Sequence, residues 1–188
     1  QRYLARAAKI LAGFDRVAVV LPGNHDFYSG ASDDFWKHFP LPEHGRVLLL
    51  DQYRPYPLQD LGVNATLYPS HCNKKKSEKQ NALGWLEQCE RAPGFFQIGI
   101  AHGSFEGLSP DLEKDYFPMN AAELEKFRMD LWLMGHIHVQ FPPKPSPQSR
   151  IFYSGTHEPD GMDCKHEGKA WLIELQEDRS VKASSIST

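Results

Sequence analysis

Cysteine is scarce in this sequence: Cys72, Cys89 and Cys164 are the only three in 188 residues. An odd number so widely separated does not make a disulfide framework, and it predicts reduced thiols with no structural bridge. Also missing is any apolar run near the ~20 residues that a membrane-spanning helix needs, and no basic-then-apolar leader opens the chain. These absences predict a soluble, cytoplasmic protein with no membrane partner. Nor does charge lean far in one direction. The 21 Lys and Arg stand against 24 Asp and Glu, a net charge of −3, so no polyanion-binding surface is announced and nucleic acid is neither required nor excluded. A starting methionine is absent too: the chain opens at Gln1, and Leu4, Ala7, Ala8 and Leu11 already share one helical face. The expectation is one domain over residues 1–188 that begins inside its fold, N-terminally truncated.

What is present is enough for a core, with 40% hydrophobic and 12% aromatic residues. After the first helix, Gly13 breaks the pattern. Residues 17–21 then form a continuous apolar run leading into Pro22-Gly23, which reads as a buried strand entering a loop. Residues 46–50, 65–68 and 95–101 read as further strands, and residues 81–90 as a helix with Leu83, Leu86 and Trp85 turned inward. Asn120 has the chemistry of an N-cap, with Glu123 completing a capping box for a helix through Phe127. An apolar run at 130–134 ends at Gly135, and strands at 151–154, 170–175 and 181–186 close the chain. Helix and strand alternate early and strands dominate late, which predicts an α/β sandwich: mixed β-sheets packed face to face with helices outside.

Three strands share one local design, in which metal-ligand residue types follow at once in a glycine-containing loop. Residues 17–21 lead to Asn24 and His25, 96–101 lead to His102, and 131–134 lead to His136 and His138. Ligands in α/β proteins bind beyond the carboxyl ends of strands, because rigid strands fix the loop residues there. Imidazole nitrogens with an amide oxygen suit Mn²⁺, Fe²⁺ or Zn²⁺ better than Ca²⁺. Taken singly, each of these residues has an ordinary structural explanation; taken together, all after strands, they favour a metal site.

Gly23-Asn24-His25-Asp26, Ala101-His102-Gly103 and Gly135-His136-Ile137-His138, in this order, resemble the calcineurin-like metallophosphoesterase superfamily. Tyr68-Pro69-Ser70-His71-Cys72 and Tyr153-Ser154-Gly155-Thr156 look closest to its Mre11/SbcD-like DNA repair exonuclease branch. The resemblance implies a sandwich of two mixed sheets flanked by helices, with two divalent ions, Mn²⁺ first and Fe²⁺ or Zn²⁺ as alternatives. It implies that Asn24, His102 and His136 hold one metal and that His138 belongs to the other. It makes His25 the proton donor, with Asp26 orienting it or capping the next turn. The reaction implied is hydrolysis of a phosphoester by a phosphodiesterase or exonuclease-like enzyme, with a protein phosphatase-like phosphomonoesterase as the alternative and nucleic acid among the candidate substrates. The family's first two motifs, Asp-x-His and Gly-Asp, have no counterpart before Gly23, so the remaining ligands are absent from this chain. Two rivals stay open: a scaffold without catalysis, and a mononuclear metal-binding module. Oligomeric state is left undetermined.

Other residues carry weaker expectations. His38, His44, His71, His157 and His166 read as ordinary surface or hydrogen-bonded core histidines, and Lys74-Lys75-Lys76 as a solvated face. Trp85, Trp132 and Trp171 read as core. Tyr116-Phe117-Pro118 lies in the long loop after His102 and is placed to line a pocket.

Overall fold

The computed structural model describes residues 2–43, 45–108, 111–159 and 167–188; Cys164, His44 and His166 lie outside them. Helix α1 (Arg2–Ala12) turns Leu4 and Ala8 inward, as its periodicity predicts. It is followed by β1 (Ala18–Val20) and β2 (Val47–Leu49), which pair in parallel as a small sheet. A larger sheet runs β3 (Tyr56–Pro57), β4 (Ala65–Ser70), β5 (Phe96–His102), β6 (Leu131–Gly135) and β7 (Ile151–Tyr153), in that spatial order. Strand β3 is antiparallel to β4, and the others are mutually parallel, so the sheet is mixed. The hairpin of β8 (Lys169–Leu175) and β9 (Val181–Ser187) makes a third sheet. Among the described residues no helix is long and apolar enough to cross a membrane.

The sandwich follows from strand alternation. On one face of the central sheet, Ile98 and Leu131 pack with Phe152 under Val181, Trp171 and Ile173 of the hairpin. Leu67, Phe96, Ile98 and Ile100 of the same face meet Leu21, Leu48 and Leu50 of the β1–β2 unit. The opposite face presents Tyr68, Ala101, Trp132, Met134 and Tyr153 to Leu83, Leu86 and Leu124 of the helical layer. Three sheets therefore replace the expected two, because the two short pairs cover different parts of one face. Trp132 lies directly over Gly99, where an added Cβ would meet its ring at 2.2 Å.

The helical layer is slighter than the sequence suggests. Residues 81–90 form only a 3-10 turn at Gly84–Gln88, since Asn81 is spent in hydrogen bonds to Pro118 O, Glu123 Oε1 and Leu83 N. Helix α2 (Ala121–Lys126) is capped by the Asn120 side chain, which accepts the Glu123 N–H at 2.9 Å. The capping box is half made: the Glu123 carboxylate takes Asn81 instead of turning back. Trp132 is core as expected, whereas Trp85 and Trp171 are half-buried.

His71 departs most from its expectation. It is buried, stacked on Tyr53 at 4.2 Å between ring centroids, and its Nδ1 has no hydrogen-bond partner. Burial pushes its pKa down to about 4 against the opposite pull of Asp51 and Asp34. Unfolded, the imidazole protonates near its ordinary value of 6.5. Between those values the unfolded chain binds a proton that the folded chain refuses, so this contribution is complete above roughly pH 6.5 and is lost as pH falls toward 4. Urea melts should lose about 1–2 kcal/mol from this source between pH 7 and pH 5. His71→Gln should narrow the drop by that amount; an equal drop in both proteins would remove His71 as its cause.

Candidate metal and phosphoester site

Parallel strands deliver their carboxyl ends to one edge of a sheet, and here β4, β5, β6 and β7 end there at Ser70, His102, Gly135 and Tyr153. The loop after β1 joins the same edge. Cys72 N–H donates to Pro22 O at 3.1 Å, and the Cys72 carbonyl accepts from Tyr28 N at 2.9 Å, so residues 22–28 are stitched to the end of β4. Asn24, His25, His102, His136 and His138 thereby line one cleft of about 710 Å³, within the ~300–1,000 Å³ usual for small-molecule sites.

His102 is the centre of this arrangement. Its Nε2 lies 2.9 Å from Asn24 Oδ1, and its ring centroid is 5.5 Å from that of His136. Two glycines make room for the ring. A Cβ on Gly23 would meet His102 Cε1 at 2.7 Å, and one on Gly135 would meet Nδ1 at 2.8 Å. His136 itself sits at φ 98°, a left-handed conformation that is unfavourable for any residue with a side chain and clusters at functional sites. This reversal ends β6 and brings His136 and His138 into the cleft together. Gly155, at φ 77°, lets β7's exit pass against the His138 carbonyl, 2.9 Å from where a Cβ would stand, and Thr156 N donates to that carbonyl at 3.3 Å.

Asp26 does not line the cleft. Its Oδ1 accepts the Gly23 N–H at 2.9 Å, and its carbonyl accepts the buried Trp36 indole N–H, so it closes the turn that presents Asn24 and His25. Of the three aromatic-loop residues, Tyr116 reaches the cleft, with its ring 5.4 Å from His136. Phe117 is buried and Pro118 lines a different hollow. The loop folds back because Ser104 N donates to Tyr116 O at 2.7 Å and Met119 N to Ser104 O at 2.9 Å.

Asp111 also lines the cleft and carries no signal in the sequence beyond lying in a loop, and Thr156, the last residue of the Tyr153-Ser154-Gly155-Thr156 motif, lines it too. Asp111 organises its loop: its carboxylate accepts from Ser104 Oγ at 2.8 Å and from the N–H groups of Asp115 and Tyr116, each at 3.0 Å. Partial burial works against its ionisation, but these hydrogen bonds and nearby His136 hold its carboxyl below the usual range.

The electrostatics favour neutral imidazoles. Burial, reinforced by His136, His25 and His138, holds His102 down to about 3. His136 is lowered chiefly by burial, with Asp111 opposing. A neutral imidazole with its lone pair available is the form that binds a metal ion, and an amide oxygen brought within 2.9 Å of one supplies a second donor. The donor chemistry therefore fits a divalent ion. Among the described residues no group of three or more His, Cys, Asp or Glu is gathered for an ion by itself; the convergent pair is an asparagine with a histidine. His38 and His157 are exposed, as expected.

The cradle makes a testable claim. Gly135→Ala and Gly23→Ala should each leave a folded protein that loses about 10–100-fold in Mn²⁺ affinity, because an outer contact that orients a ligand is displaced. Titration of bound metal alongside a thermal melt measures both. Unchanged affinity in both variants would show that the glycines do not set the position of His102.

A family model described as calcineurin-like phosphoesterase matches residues 1–140 of the 188. That span contains Asn24, His25, His102, His136 and His138. No curated protein matches the chain.

Proposed function

Because the chain belongs to the calcineurin-like phosphoesterase family, whose members are hydrolases of phosphoesters that use divalent metals, we propose that it cleaves phosphodiesters in the manner of an exonuclease. The observation that carries this reading is the His102 ring held between Gly23 and Gly135 with Asn24 Oδ1 at 2.9 Å, inside a cleft that also receives His25, His136 and His138.

In this reading Asn24, His102 and His136 hold one divalent ion and His138 contributes to a second, with Mn²⁺ the first choice. Bound there, the ions supply Lewis-acid stabilisation of the phosphoryl oxygens and lower the pKa of the attacking water. The chain's own residues do the rest. His25 stands one position from Asn24 and faces the same cleft, where it serves as the general acid toward the departing oxygen. Asp26 is a positioning residue: by taking the Gly23 N–H it holds the turn that aims Asn24 and His25 together. Tyr116 forms one side of the cleft, with its ring against that of His136. The diester preference rests on the resemblance of 68–72 and 153–156 to the Mre11/SbcD-like branch.

Two variants separate the roles. His25→Ala should lower kcat by about 10²–10⁴-fold while metal per chain, read by elemental mass spectrometry, stays constant. His136→Ala should lose metal as well as activity. Retention of both metal and activity in both variants would overturn the site assignment, and metal binding without turnover of any diester or monoester in the unmodified protein would favour a scaffold.

A further inference from the structure

Two hollows, of about 410 and 340 Å³, lie where helix α2 meets the central sheet, and Arg128 and Met129 line both. They therefore adjoin as one groove. Arg91 precedes β5, Arg128 and Met129 precede β6, and Ile151 opens β7, so the groove follows the amino edge of the sheet. The histidine cleft stands at the carboxyl edge and shares no lining residue with it.

The floor of the groove is apolar and partly open, because Phe127, Met129, Phe141 and Ile151 are only half-buried against the core of that face. A contiguous apolar strip with a polar rim marks an interaction surface. In a chain of net charge −3 the rim is cationic, with Arg91, Lys126, Arg128 and Arg150 standing against Glu87 and Glu125. Two of these cations are already occupied. Arg91 donates to the Phe127 and Arg128 carbonyls, and Arg150 to those of Pro147 and Ser149. Lys126 and Arg128 are exposed, with no ion pair or side-chain hydrogen bond among the described residues. Arg128 also holds φ 48° just past the Phe127 cap of α2, the left-handed position at which glycine ordinarily ends a helix. Strain of this kind clusters where a side chain is used.

We propose that this groove docks an acidic segment of a partner protein, with bulky apolar side chains in the two hollows and carboxylates on Lys126 and Arg128. Charge complementarity selects that occupant. A nucleic-acid backbone is charged at every residue and would run past Glu87 and Glu125. A peptide sets carboxylates only where the cations stand and turns its apolar side chains to the floor. Because the groove lies at the opposite edge from the histidines, the proposal does not rest on the hydrolase reading.

The test selects binders to the unmodified full chain from a random dodecapeptide library and measures the affinity of the enriched peptides by fluorescence anisotropy. Sequences that join Asp or Glu to Leu, Ile, Met or Phe should be enriched, and should bind more weakly as salt is raised. The double variant Lys126→Glu/Arg128→Glu, at exposed positions, should bind them roughly tenfold or more weakly, since each reversal replaces an attraction by a repulsion. Its Mn²⁺ binding should match that of the unmodified protein. Arg128→Gly should melt no lower, because glycine relieves the left-handed backbone, and yet should lose affinity for the same peptides. The proposal is overturned if no peptide is enriched, if the enriched peptides lack acidic residues, or if the double variant binds them equally well. Displacement of the peptides by oligothymidylate would assign the groove to nucleic acid instead. A lower melt of Arg128→Gly with unchanged affinity would make Arg128 a structural residue and overturn the docking role as well.

Discussion

A single imidazole ring, that of His102, is held where neither neighbouring loop can carry a side chain. Gly23 and Gly135 approach it so closely that a methyl group at either would collide. These glycines come from two different strands' exits, so the fit of one ring ties β1, β5 and β6 into a common register at the carboxyl edge. Packed interiors do not absorb an extra carbon smoothly. The geometry of Asn24, His136 and the turn closed by Asp26 all follows from that contact.

The contact is available only because the central strands are parallel. Parallel order sends the ends of β4 through β7 to one edge, and the buried faces on both sides leave the backbone little freedom to drift. The two faces are unequal: two short strand pairs cover one, and a thin layer of helical turns covers the other. Rigid strand ends with strained exits, such as His136 at φ 98° and Gly155 at φ 77°, then fix side chains that a flexible loop would leave scattered.

In the histidine cleft burial keeps the imidazoles of His102 and His136 neutral, the form whose lone pairs suit an ion. The fold-back of residues 104–119, anchored by the Asp111 carboxylate, brings Tyr116 to the side of this cleft.

The sequence alone determined the strands, because continuous apolar runs precede Pro22, His102 and Gly135, and it singled out Asn24, His25, His102, His136 and His138, which follow directly after those runs and which the fold brings to one cleft. It also placed the Asn120 cap and the core role of Trp132. Tertiary structure decided what depends on neighbours distant in the chain. Residues 81–90 lost their helix once Asn81 was claimed by Pro118 and Glu123. Asp26 turned to Gly23, Asp111 arrived in the cleft through a loop with no periodic signal, and Trp85 stopped half-way out of the core beside Tyr53. Periodicity records which face a residue offers to the interior; which partner meets that face is set only when segments tens of residues apart close on each other.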